Sequence, residues 1–159
     1  MNLCHEEPDA VVPHVRIRGG PGRATARGYP RLRPATFPAL HRQPGPMLAH
    51  ERLIVYQRSI EFLSFGLGLL DRVPRGFASA SDQLRRAAMS IPLCVAEGVG
   101  KVSVADRRNY LAVARGSAME CGALMDVFAI IKACSEEERE RGKRMLVEIV
   151  SMLSGMLRR

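Results

Sequence analysis

The stretch from Ser103 to Ala133, SVADRRNYLAVARGSAMECGALMDVFAIIKA, decides the fold. Tyr110, Leu111, Ala114, Ser117, Cys121, Leu124, Met125, Phe128 and Ile131 recur in it at helical spacing. That period lines them along one face of a helix, where a strand would alternate them between two faces. Ser103, with Asp106 three positions on, is a variant of the capping box and sets the start. Gly116 and Gly122 are soft points within the helix. A helix this long with an apolar stripe needs partners to cover it.

Partners stand on both sides. Upstream, Leu84, Ala87, Ala88, Ile91 and Val95 form a second stripe, with Ser79 or Ser81 as its cap. Pro92 predicts a kink there, and Gly98-Val99-Gly100 an end. Further upstream, a helix from Ala49 to Arg72 is predicted, with Leu53, Tyr56, Ile60, Leu63, Leu67 and Leu70 on its inner face. Gly66 and Gly68 would permit close helix contact, and Val73-Pro74-Arg75-Gly76 stops the helix. Downstream, Ser135 caps a last helix whose first turn, Glu136-Glu137-Glu138, complements the helix dipole. Met145, Leu146, Ile149, Met152, Leu153 and Met156 give its apolar face, and Glu137–Arg141 and Glu140–Arg144 its i,i+4 pairs. Arg158 and Arg159 suit its negative pole. Four amphipathic helices joined by short turns make residues 48–159 an all-α, up-and-down (antiparallel) four-helix bundle. No strand pattern competes.

Residues 1–47 differ in kind. They hold eight of the ten prolines and no sustained period, so they read as a disordered N-terminal extension. Met47 stands just before the first helical pattern, and translation starting there would make 1–46 an upstream extension of the reading frame. A basic RNA-binding tail is an alternative; a targeting peptide is opposed by Glu6, Glu7 and Asp9.

The net charge of +8 divides evenly. Seven Arg against three acids give residues 1–47 a net +4, and 17 Lys+Arg against 13 acids give the bundle the other +4. The bundle alone is mildly basic. No stretch approaches the roughly 20 apolar residues that span a membrane, and no secretory signal opens the chain. The expected compartment is the cytoplasm.

Candidate chemistry is sparse. Cys4, Cys94, Cys121 and Cys134 lack zinc spacing and read as small hydrophobes in a reduced protein. His5, His14, His41 and His50 form no ligand pair. Gly98-Val99-Gly100-Lys101-Val102-Ser103 resembles a phosphate loop, but Val95 and Val102 occupy positions that need Gly and Ser or Thr. No catalytic residue, metal or cofactor is expected. Glu97 with Arg115, or Arg86 with Glu120, could form a structural ion pair fixing register between the middle helices. Arg85, Arg86, Lys101, Arg107, Arg108 and Arg115 are candidate phosphate contacts for RNA or DNA. The alternative for them is a solvated face or a subunit contact.

One resemblance extends this reading. Val55-Tyr56-Gln57-Arg58, Val73-Pro74, Leu84-Arg85-Arg86-Ala87-Ala88-Met89-Ser90-Ile91-Pro92, Val95-Ala96-Glu97-Gly98, Gly100-Lys101, Ser103 and Ala114-Arg115-Gly116-Ser117 resemble the bacterial four helix bundle protein family. That family is also called the 23S rRNA intervening sequence proteins. The likeness covers about residues 50–157. Cys94 and Tyr56 depart from the family's usual Asn and Trp, and Gly122-Ala123-Leu124 from its Glu-Thr-Gln. The resemblance implies a non-enzymatic homopentamer. A related accessory protein of diversity-generating retroelements implies two possible partners, nucleic acid and a reverse transcriptase. A protein–protein scaffold with no nucleic-acid role is the alternative.

Overall fold

The computed structural model describes residues 47–158. The reading of residues 1–46 as disordered falls outside them. Four helices follow in order: α1 (Ile54–Leu69), α2 (Ala78–Gly100), α3 (Val104–Ile130) and α4 (Glu136–Leu157). Among the described residues there is no strand. Short 3-10 turns, Ala49–Arg52 and Leu70–Arg72, flank α1. The helix expected from Ala49 therefore begins at Ile54, because Leu53 is extended (φ −82°, ψ 126°) and breaks the run.

Contacts across the bundle fix an antiparallel order. Gln83 meets Glu120, Ser90 meets Ser117, and Gly98 lies against Tyr110, so α3 runs back along α2. Arg115 reaches Ser154 and Asp126 reaches Arg139, so α4 runs back along α3. Arg58 pairs with Glu148 and Arg72 with Glu138, which closes α1 on α4. This is the up-and-down bundle.

Phe62 of α1 and Phe128 of α3 are fully buried, with Ile91, Leu111, Met125 and Ile149 around the same core. Burial of each such side chain contributes about 1.5–3 kcal/mol. The buried face of α1 is Val55, Ser59, Phe62, Gly66 and Leu69. The expected stripe is displaced by about one residue: Leu53, Tyr56, Leu63 and Leu70 only pack partly against the core. α1 is apolar on most of its circumference, so period alone offers two stripes. The buried one is the stripe that carries the small Ser59 and Gly66. The Ser59 hydroxyl is satisfied by donating to the Tyr56 carbonyl at 2.6 Å.

Helix ends follow local chemistry. Ser103 accepts from the Asp106 amide at 3.3 Å. Ser135 and Glu138 complete a reciprocal capping box, which satisfies two amide donors otherwise orphaned at a helix start. Neither Ser79 nor Ser81 caps α2; both lie inside it, and Phe77 takes the cap position with no side-chain bond. The turn at Gly76, φ 102°, delivers the chain into the helix earlier than the serines suggest. α3 stops at Ile130 rather than at Ala133, because Lys132 turns left-handed, φ 59°. The Ala133 amide then donates back to the Phe128 carbonyl at 2.8 Å, closing a Schellman-type end. α2 runs unbroken through the buried Pro92.

Two glycines set how closely the helices pack. A Cβ on Gly98 would lie 3.3 Å from the Arg107 carbonyl oxygen, and one on Gly142 would lie 2.9 Å from Phe65. These are the close approaches, in place of Gly66 and Gly68. A Cβ on Gly66 meets Leu84 at an ordinary 3.8 Å, and one on Gly68 meets nothing within 4 Å.

Candidate nucleic-acid interface

Five of the six expected cations fall in two groups, and Arg115 stands apart, midway along α3. Arg85 and Arg86 lie early in α2, while Lys101, Arg107 and Arg108 gather where α2 gives way to α3. Arg86 and Lys101 are 15 positions apart, roughly 22 Å along a helix. A single patch does not hold all six.

Their partners differ as well. Arg85 is engaged by Asp82 at 2.7 Å. Lys101 sits 4.8 Å from the centre of the Tyr110 ring, within cation–π range. Arg108 donates to the Leu157 carbonyl at 2.8 Å, and Arg115 to the Ser154 hydroxyl at 3.0 Å. Arg86 and Arg107 are exposed and have no ion pair among the described residues.

The expected register pairs do not form. Arg115 leaves α3 on its α4 side, away from Glu97. Glu120 accepts instead from Gln83, at 3.0 Å, and leaves Arg86 without it. On α4, Glu140 and Arg144 approach to 3.6 Å. The Glu137–Arg141 pair is absent among the described residues, since Arg141 lies over Phe65, 5.4 Å from the ring centre.

Antiparallel order gives the two ends of the bundle different charge. The starts of α1 and α3 and the ends of α2 and α4 share one end. There the exposed Arg52, Lys101, Arg107, Arg108 and Arg158 stand with Glu51, Glu97 and Asp106. At the opposite end acids and bases interlock. Arg139 engages both Asp126 and Glu136, Lys143 also holds Asp126, and Arg72 forks onto Glu138 at 2.8 and 3.0 Å. Lys143 and then Arg139 hold the Asp126 carboxyl below the usual carboxylate range, and Arg139 does the same to Glu136. One end is thus self-neutralised, and the other has a surplus of exposed cations.

Arg52 and Arg158 belong to this basic end and were not singled out as contacts by the sequence. No local motif marks them; only the antiparallel order of the four helices puts them at the same end as Lys101 and Arg107.

Nucleophilic chemistry has little foothold. Cys121 is fully buried, and burial, with a smaller effect of Glu120, pushes its thiol up to about 12. Burial also raises the Cys134 thiol, whose sulfur lies 3.9 Å from the Met125 carbonyl. Cys94 is half-buried, with the Ser90 hydroxyl 3.6 Å from its sulfur. No group of three or more metal-ligating side chains occurs among the described residues. An open apolar hollow of about 530 Å³ lies between Leu53, Ile54, Met152 and Met156.

The class these features define is a small antiparallel four-helix bundle, and no described helix is long and apolar enough to cross a membrane. Residues 51–155 match the 23S rRNA-intervening sequence protein family, and the chain belongs to that family. Among solved structures it is similar to a protein of unknown function from the S23 ribosomal protein family of Bacteroides thetaiotaomicron VPI-5482. The TM-score is 0.61 at 22% identity, over 67% of this chain and 100% of that one. That likeness shows the fold. No curated protein matches the chain.

Proposed function

We propose that this protein is a non-enzymatic, homo-oligomeric, cytoplasmic adaptor that binds RNA or DNA through backbone phosphates at its basic end. The observation carrying this reading is the charge division along the bundle. Acids neutralise the cations at one end, whereas Arg52, Lys101, Arg107, Arg108 and Arg158 converge at the other with few acids between them. Clustered exposed cations release condensed counterions from a nucleic-acid backbone, which drives sequence-independent binding. Membership of the intervening sequence family supports the homo-oligomer, with a ring of five as the form the resemblance favours. Arg85 and Arg86, distant from this end, contribute little to phosphate binding here.

The test is binding of the full chain to a labelled RNA hairpin and a DNA duplex across a salt series. Affinity that falls log-linearly with salt supports the reading. Absence of binding at low salt removes it.

A protein–protein scaffold without nucleic acid is the second reading. Met89, Leu93, Val113, Met119 and Ile130 favour it, since all are apolar, exposed, and on the outer side of α2 and α3.

A further inference from the structure

Tyrosine is unevenly placed along the bundle. Tyr56 lies in the first turn of α1 and Tyr110 in the second turn of α3, so antiparallel order puts both described tyrosines at the basic end. They differ in what covers them. His50 meets the Tyr56 ring in a T-shaped contact, with centroids 4.7 Å apart, and Tyr56 packs partly against the core. Tyr110 is half-buried and stands between cations. Its Cβ lies 3.2 Å from where a Cβ on Gly98 would be. The bare Gly98 thus lets α3 close on the end of α2, which sets the ring beside Lys101, three residues further along. Arg107 is three positions before Tyr110, one turn away on the same side of α3.

The ring face of Tyr110 is reachable from solvent. The Lys101 ammonium lies over it, 4.8 Å from the centre, and Lys101 is exposed. A lysine ammonium is compact and strongly hydrated, so the face it covers opens to water. Neither Lys101 nor Arg107 has an ion pair among the described residues. A cation–π contact at an exposed site is weak, and a nucleic-acid base stacked on an aromatic ring gains more. A base can therefore take the place of the ammonium, which is then free to meet a phosphate. Bases inside a duplex stack on one another and offer no face to such a ring. Unpaired bases do.

We infer that the basic end takes single-stranded nucleic acid, with an unpaired base stacked on the face of Tyr110. Lys101 moves from the ring to the adjoining phosphate, and Arg107 meets the next one. Every base has a π face, so the contact tolerates any sequence. It adds a choice between single strand and duplex, which phosphate contacts alone do not make. The inference rests on nucleic-acid binding at the basic end and needs no particular number of chains.

Fluorescence titration of the full chain tests it, with an unstructured uridine oligonucleotide and an RNA duplex of equal phosphate number at one salt concentration. The chain has three tyrosines and no tryptophan, so its emission comes from tyrosine. The single strand is expected to quench that emission. Tyr110→Phe removes most of the quench and retains the affinity, because the ring remains; Tyr56→Phe leaves the quench in place. Tyr110→Leu removes the ring and keeps an apolar side chain. It is expected to weaken single-strand binding roughly tenfold and duplex binding far less, with the helical circular dichroism of the parent. The Tyr110→Phe comparison stands even where the leucine variant fails to fold. A quench that survives Tyr110→Phe would overturn the inference and leave phosphate binding standing. So would a duplex that quenches as strongly, a single strand that binds without quenching, or equal losses on both ligands in Tyr110→Leu. Absence of binding to either ligand would overturn the inference and the phosphate role together.

Discussion

Arg108, in the second turn of α3, donates to the backbone carbonyl of Leu157, the last residue of α4, at 2.8 Å. The bond brings a cation to the negative pole of α4 and satisfies a carbonyl that no helical amide can reach. It also means that one of the basic-end cations has a structural task. Arg108→Ala is expected to cost about 1 kcal/mol of stability. Arg107→Ala, with no such partner, should stay within about 0.5 kcal/mol of the parent. Urea unfolding of the two variants side by side checks this, and equal midpoints would contradict it.

Gly142 faces Phe65 and Met125 so closely that an added Cβ would lie 2.9 Å from the first and 3.0 Å from the second. Gly142→Ala gains about 1 kcal/mol of helix propensity. The overpacking of two core side chains costs about 1–3 kcal/mol. The net is a loss of about 1 kcal/mol, visible as a lower melting temperature. A variant more stable than the parent would show that α1 and α3 yield more easily than this packing implies.

Lys132 holds φ at 59°, in the left-handed region that closes the Schellman-type turn before α4. Glycine enters that region without the Cβ penalty. Lys132→Gly should therefore raise stability by about 1 kcal/mol. Calorimetry would show the gain, and a loss would mean that the lysine side chain contributes something the turn geometry does not reveal.

Glu138 accepts both Arg72 nitrogens and the Ser135 amide. Arg72 first, then the Ser135 amide, lower its carboxyl below the usual range. A depressed folded value stabilises the protein above the unfolded value of about 4.3 and loses that benefit as pH falls through the folded value. Glu138→Gln should thus be less stable than the parent at neutral pH, by up to about 1 kcal/mol given partial exposure. The gap should narrow below about pH 4. Guanidinium unfolding at pH 7 and pH 3 measures both ends of that range; a gap independent of pH would exclude the carboxylate as its source.

The helices themselves were legible from period, and the starts of α3 and α4 from Ser103 and Ser135. These signals are local, so neighbours in sequence suffice to read them. The inner face of α1 was not legible, because Leu53, Tyr56 and Leu63 compete with Val55, Phe62 and Leu69 on a helix apolar nearly all round. Only packing against α2 and α4 chooses between them. The start of α2 was misread for a related reason: Ser79 and Ser81 have cap chemistry, but Gly76 sets where the chain turns. At the candidate site the sequence supplied Lys101, Arg107 and Arg108. It could not separate them from Arg85 and Arg86, nor add Arg52 and Arg158, because charge clustering at one end is a property of antiparallel order. Arg115 shows the same limit. Its helix position allowed Glu97 as partner, and its side of α3 gave it Ser154.

The central claim is that phosphate binding belongs to the basic end. The most direct measurement compares the salt dependence of RNA-hairpin binding for three full-length proteins: the parent, Lys101→Ala with Arg107→Ala, and Arg75→Ala with Lys132→Ala at the opposite end. The account predicts that the basic-end variant binds more weakly and that its log–log salt slope is shallower by roughly one to two units, while the opposite-end variant matches the parent. Equal slopes in all three proteins would contradict it.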